Sequence, residues 1–257
     1  PNDGGAYVAR AGPGVHHPGL TRVAMDGAGA SLLTGARDGE VRLWRTGEAA
    51  PRTVLPASGT AVIALAVTAD GRVAAASAGS ELVVLRLEPS GRATVIARQE
   101  LGARRVRAAA FDASGARLAT GSSDGGVQLW RVLPDGLQPE SVTRSAVPSE
   151  INVIAFSPDG THVASGAEDS TIVYWKLPLL EPVREYTEHR SGVVSLAFCA
   201  QGRDTRLYSS DRDGEVIARL SLVDQRHRRP LMESFRRQRY LTVTRGCKRV
   251  APSAATP

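Results

Sequence analysis

Residues Arg117 to Val132 read RLATGSSDGGVQLWRV, two short apolar runs separated by a cluster of Ser, Asp and Gly. Such a composition is expected of two strands joined by a tight turn. The same pattern is written at Ser31 to Arg45 (SLLTGARDGEVRLWR), His162 to Lys176 (HVASGAEDSTIVYWK) and Leu207 to Leu220 (LYSSDRDGEVIARL), with a weaker copy, RVAAASAGSELVVLRL, at Arg72 to Leu87. Marked by Trp44, Leu85, Trp130, Trp175 and Arg219, the copies follow one another at steps of 41, 45, 45 and 44 residues.

A regular period of about 40 to 45 residues built from strand signals alone is the mark of propeller blades. Each repeat has one plan. A first strand (Leu20–Met25, Val62–Val67, Val106–Phe111, Ile151–Phe156, Val193–Phe198) ends at a Gly-centred turn: DGAG, ADG, ASG, SPDG and AQG. A second strand, an Asp-bearing turn and a third strand ending at the Trp position follow. The residues between repeats, such as Pro134 to Pro148, are left to hold a poorly marked fourth strand.

The ordered elements, an Ala-Phe strand end, Ser-Pro-Asp-Gly, Ser/Thr-Gly, an Asp-Gly turn and Leu-Trp, resemble the WD40 repeat proteins. The resemblance covers about Val15 to Leu222 and is most faithful in the third and fourth repeats. It implies an all-β, WD40-type β-propeller with five recognisable blades, near 15–50, 57–90, 101–135, 146–180 and 188–222. A degenerate sixth blade or membership of a larger propeller stays open. Residues 1–14 read as a lead-in, and 223–257 as an Arg-rich tail or incomplete blade. The opening on Pro1 reads as an excerpt of a longer chain.

The resemblance also implies a hydrogen-bonded tetrad in each good blade, in which a loop His meets the turn Asp and a Ser/Thr bridges to the Trp. The first repeat has His16, Thr34, Asp38 and Trp44. The third has Thr120, Asp124 and Trp130, with Gly102 at the His place, and the fourth has Ser165, Asp169 and Trp175, with Val147 there. The fifth has His189, Ser209 and Asp213 but Arg219 for Trp; in the second, Gly79 takes the Asp place and Leu85 the Trp place. These carboxylates read as turn supports, because a carboxylate can accept the backbone amides that a tight turn leaves unpaired.

No catalytic constellation emerges. Gly121 to Gly125 spell G-x-S-x-G, but that motif needs a strand-to-helix turn and a His partner, whereas this segment joins two strands. The five His show no metal spacing, neither Cys199 nor Cys247 belongs to a CxxC, and no phosphate loop is present. The expectation is therefore no enzyme, metal, cofactor or small-molecule substrate.

Charge separates the chain in two. Residues 221–257 contain eight Arg and one Lys against Asp224 and Glu233, a net +7, while the chain as a whole carries +6. Arg228, Arg229, Arg236, Arg237 and Arg239, interleaved with Phe235 and Tyr240, are candidates for RNA contact, since guanidinium and aromatic groups stack on bases. Only Lys176 and Lys248 are lysines, so a genomic bias toward arginine explains the basic surplus better than phosphate binding does. No apolar run approaches the ~18 residues of a membrane span. The reading is a soluble intracellular protein with reduced cysteines, cytoplasmic or nuclear.

Propellers use the loops at their blade ends as variable surface. The family geometry puts Arg37, Glu168 and Arg212, and the first-strand openers Arg105 and Glu150, at one end. The expected function is a non-catalytic scaffold for other proteins of a multi-subunit complex, docking an acidic segment there. The alternative is an RNA-associated subunit acting through the tail.

Overall fold

The computed structural model describes residues 19–48, 50–144, 148–201, 204–220 and 233–235. They form four-stranded sheets in which strand order follows chain order. The first sheet is β1 (Leu20–Met25), β2 (Ser31–Ala36), β3 (Val41–Arg45) and β4 (Arg52–Leu55); the second is β5 (Val62–Val67), β6 (Val73–Ala78), β7 (Glu81–Leu87) and β8 (Ala93–Glu100). The third is β9 (Val106–Phe111), β10 (Arg117–Ser122), β11 (Gly126–Leu133) and β12 (Gly136–Arg144). The fourth is β13 (Ile151–Phe156), β14 (His162–Ala167), β15 (Ile172–Lys176) and β16 (Glu181–Tyr186), and the fifth is β17 (Val193–Gln201), β18 (Asp204–Asp211), β19 (Val216–Leu220) and β20 (Glu233–Phe235).

Four of the five expected first strands coincide with β1, β5, β9 and β13, and the fifth runs on to Gln201. The poorly marked fourth strand of the third repeat is β12. The chain divides into two compact units, one of residues 1–106 with 133–137 and one of 107–132 with 138–257.

In the first, third and fourth sheets a polar turn closes the first hairpin from within. Asp26 Oδ1 accepts the amides of Ala28 (3.1 Å) and Ala30 (2.9 Å), and Asp112 Oδ1 accepts that of Arg117 (3.1 Å). In the fourth sheet the Ser157 hydroxyl does both jobs, donating to Asp159 and accepting the His162 amide at 3.0 Å. A turn that satisfies its own amides costs nothing in unpaired groups.

Neighbouring sheets within a unit meet through one repeated contact. The glycine that follows the Ser/Thr of the second strand faces the first residue of the next sheet. A Cβ added at Gly35 would lie 2.6 Å from Val62 Cγ1, at Gly121 2.3 Å from Ile151 Cγ2, and at Gly166 2.6 Å from Val193 Cγ1. Real Cβ atoms do not approach that closely, so only glycine lets the next sheet seat. Val62, Ile151 and Val193 are buried as a result.

The core grows from these seats. In the first unit Leu33, Val41, Leu43, Val62, Val83 and Leu85 form one cluster. In the second, Ile151, Ile154 and Trp175 pack with Val127 and Leu129, and Tyr174 packs with Val193 and Leu207.

Two expectations are corrected here. β6 and β7 pair as far as Ala78 with Glu81, so only Gly79 and Ser80 make the turn, with Gly79 at φ 63°. The second repeat therefore has no position for a turn carboxylate at all, rather than a glycine in its place. Cys199, buried on β17, is disulfide-bonded, not a reduced thiol; Cys247, the other cysteine of the sequence, lies outside the described residues.

Gly121→Val should force Ile151 out of its seat and lower stability by about 1 to 3 kcal/mol, the usual range for an overpacked core. Thermal denaturation of the variant beside Gly136→Ser, at a glycine without a positive φ whose Cβ position meets nothing closer than Ile96 O at 4.0 Å, reads the difference; equal melting of the two would refute the contact.

Candidate functional site

Four of the sheets carry a hydroxyl on the second strand that accepts a donor from the third. Trp44 Nε1 donates to Thr34 Oγ1 at 2.8 Å, Trp130 Nε1 to Thr120 Oγ1 at 2.9 Å, and Trp175 Nε1 to Ser165 Oγ at 2.8 Å. In the fifth sheet Arg219 Nη1 donates to Ser209 Oγ at 2.7 Å. Arg219 thus does the work of the missing indole. Its Nη2 reaches Glu188 at 2.7 Å, and its guanidinium lies 4.9 Å from the Tyr186 ring centroid.

The turn carboxylates behave as local supports. Asp38 Oδ1 accepts the Glu40 amide (2.9 Å), Asp124 Oδ1 that of Gly126 (3.1 Å), and Asp169 Oδ1 that of Thr171 (3.1 Å). His16 lies outside the described residues, so its relation to Asp38 does not enter.

The fifth turn departs from expectation. His189 Nδ1 meets Asp211 Oδ2 at 3.3 Å, and Asp211 Oδ1 accepts the Glu215 amide at 2.8 Å. The tetrad carboxylate is Asp211, not Asp213, which is exposed. The reason is positional. Asp211 occupies the place of Ala36 and Ala167, as the matching backbone bonds from Ala36 to Glu40, Ala167 to Thr171 and Asp211 to Glu215 show. A carboxylate there reaches both the ring and the turn amide.

His189 Nε2 lies 2.7 Å from Ser209 Oγ, which already accepts from Arg219. The ring is therefore best held neutral, Nδ1–H toward Asp211 and Nε2 accepting the serine proton. Burial, and then the Arg219 charge, hold its pKa below the ordinary 6.5, outweighing the opposing pull of Asp211. Asp211 is also held below the usual carboxylate value, although burial works the other way, by the Glu215 amide and by His189. Ligand atoms of His189, Asp211 and Glu215 come within 4.8 Å of one another. Both ring nitrogens are engaged, however, and Arg219 brings a positive charge to the same serine, which is a closed network rather than an open ligand set.

The candidate partner residues sit just before these turns. Arg37 N donates to Gly19 O (2.8 Å), Glu168 N to Glu150 O (2.9 Å) and Arg212 N to Gly192 O (3.0 Å). One backbone bond therefore ties each turn to its incoming loop. In the second unit the side chains also converge: Glu168 Oε2 accepts from Arg212 Nη2 at 2.6 Å and from Asn152 Nδ2 at 2.7 Å, while Arg107 and Glu150 pair at 3.3 Å. Glu150, Glu168 and Arg212 thus share one rim, with Asn152 and Arg107 unforeseen. Arg212 is not an unengaged grip for an acidic segment, because Glu168 neutralises it. Arg37 and Arg105, both exposed, belong to the first unit. Arg228, Arg229, Arg236, Arg237 and Arg239 lie outside the described residues.

Residues 14–45, 98–131 and 142–176 match the family described as "WD domain, G-beta repeat". The chain carries WD40 repeats in these three places. Solved propellers agree. A Myceliophteria thermophila Cps50 (Swd1) beta-propeller domain superposes with a TM-score of 0.68 at 14% identity, covering 86% of this chain and 72% of that one. A chain of a mitotic checkpoint complex superposes at 0.67 and 16%, covering 77% of this chain and 62% of that one. No curated relative matches the sequence. The WD40 matches skip the second and fifth blades, which are the two whose Trp position is altered, to Leu85 and Arg219.

The depressed imidazole pKa fixes a pH dependence. The unfolded chain takes up the proton before the folded one, so this contribution to stability is complete above the ordinary value of 6.5 and is lost as pH falls below it. Urea denaturation at steps from about pH 7 to about pH 5 should show a smaller loss of stability in His189→Gln than in the parent. His162, whose pKa burial also lowers, is common to both proteins and cancels.

Proposed function

We propose that this protein is a non-catalytic interaction scaffold, a WD40-propeller subunit of a larger assembly that binds other proteins through its blade-end rims. The observation that carries the reading is the use of the acids. Asp38, Asp124, Asp169 and Asp211 each accept an amide of their own turn. What is left facing outward is a rim of paired charges on a backbone-locked scaffold, Glu168 with Arg212 and Glu150 with Arg107. Rim charges of this kind contribute to partner choice and encounter rate more than to stability. The similar solved chains come from a propeller domain and from a multi-protein complex, which supports the same reading.

The alternative, an RNA-associated subunit, is favoured by one observation, the net +7 of residues 221–257. Phosphate neutralisation by that segment would appear as affinity falling steeply with salt.

Exchanging the pair, Glu168→Arg with Arg212→Glu, keeps the ion pair but inverts the pattern a partner meets. The melting temperature should stay near that of the parent, while proteins co-purified from cells and identified by mass spectrometry are lost. Retention of every partner would end the rim reading. Loss of partners on nuclease treatment alone would move the function to RNA.

A further inference from the structure

Between the first and second sheets lies a cavity of about 140 Å³ that the rim reading does not use. Its walls come from both sheets. Val41 stands on β3 and Leu55 on β4, while Val62, Ala76 and Val83 stand on β5, β6 and β7, and each is exposed by 9% or less. The residues that border it all lie between Gly39 and Arg98, within the first unit and among the described residues. A water at this floor would find no side-chain partner, whereas an ordered water needs two to four. Volume of this kind is filled by an apolar group, and a cavity of about 150 Å³ takes a benzene ring.

The register adds a polar mouth to the apolar floor. Ala76, Val83 and Arg98 stand opposite one another across β6, β7 and β8, and the next pair along the same face is Ala78 with Glu81. Arg98 Nη1 donates to Glu81 Oε1 at 2.6 Å, with 54% and 30% of the two side chains exposed. The exposed residues Pro56, Ala57 and Ser58 complete the border. Among the described residues Arg98 and Glu81 are bonded only to each other, through one nitrogen and one oxygen. The guanidinium therefore has N–H groups left to donate, and the carboxylate has lone pairs left to accept. A net charge on a ligand would be drawn by one of the two and repelled by the other. A peptide group has no net charge and offers an N–H and a C=O, the complements of Glu81 and Arg98.

We infer that this cavity is a recognition site for a peptide segment of a partner protein, one branched aliphatic side chain filling the floor and the adjoining backbone N–H and C=O meeting Glu81 and Arg98. The inference rests on the scaffold reading and adds to it a site that reads a single apolar residue. It belongs to the first unit, whereas the rim of Glu168 and Arg212 belongs to the second.

The probe is N-acetyl-leucine methylamide, a leucine side chain between two peptide groups. Titrated into the methyl-labelled full chain at millimolar concentrations, it should shift the methyl resonances of Val41, Leu55, Val62 and Val83 along a saturable curve. The alanine analogue, with less apolar surface to bury, should bind at least about tenfold more weakly. Ala76→Leu fills the cavity at its floor and Ala78→Leu fills it beside Glu81, and each should weaken the leucine probe at least about tenfold. Removing both mouth groups, Glu81→Ala with Arg98→Ala, should weaken the leucine probe by about tenfold, while benzene, which has nothing to bond there, binds as it does to the parent. Absence of a saturable shift, equal binding of the two analogues, or binding undiminished by either filling variant overturns the proposal. So does a double variant that binds the leucine probe as the parent does, which would leave a packing void without recognition. Because the probe is a synthetic molecule, these outcomes bear on the cavity alone, and the scaffold reading stands or falls separately on the co-purified partners.

Discussion

The missing Cβ of three glycines holds the arrangement together. Sheets stacked face to face bury apolar area only if their backbones come close enough for the side chains of one to fill the gaps of the other. At Gly35, Gly121 and Gly166 the approach is so close that any side chain would collide with the Val or Ile of the next sheet. The apolar clusters of each unit, with Val62 in one and Ile151 and Val193 in the other, depend on those seats. In a repeat array stability is a sum of repeat and interface terms. A contact that recurs at every interface of this kind therefore weighs more than its own area.

Polar satisfaction comes second and explains which residue types stand around the seats. Each second strand is central in its sheet, so a hydroxyl at its middle is buried and must find a partner or cost about 1 to 3 kcal/mol. The indole of Trp44, Trp130 or Trp175 supplies the donor and fills volume at the same time. Arg219 supplies the donor with a charge, which is why the fifth blade gathers Glu188 and the Tyr186 ring around it. A cation in a buried site is held only when such partners surround it.

The sequence showed most of this, because its signals are local. Alternation of apolar residues placed the first strands, and the Asp-Gly turns with Trp placed the second and third. What it could not show depends on register. Asp211 and Asp213 are two residues apart in the same turn, and only the bond from Asp211 N to Glu215 O shows which one stands at the blade position that faces His189. The pairing of Arg212 with Glu168 crosses 44 positions between adjacent blades, so it reads in sequence as two unrelated exposed charges. Outer strands such as β16, exposed along most of its length, have no such pattern and were left between repeats.

The second blade shows how the array tolerates decay. By register Ala76 stands where Thr34, Thr120, Ser165 and Ser209 stand, and Leu85 stands where the Trp does. Hydroxyl and donor have disappeared together, which leaves no orphan from the pair, and replacing both partners by apolar groups is close to neutral. The turn carboxylate has gone with them, since Gly79 and Ser80 close the hairpin alone. A cavity of about 140 Å³ lies beside Ala76, bordered by Leu55, Ser58 and the Glu81 to Arg98 ion pair. The fifth blade kept its hydroxyl and therefore had to keep a donor, which Arg219 provides. A serine or threonine without a donor, or a buried donor without its hydroxyl, is the combination that physics penalises. Neither occurs at this position in the described blades.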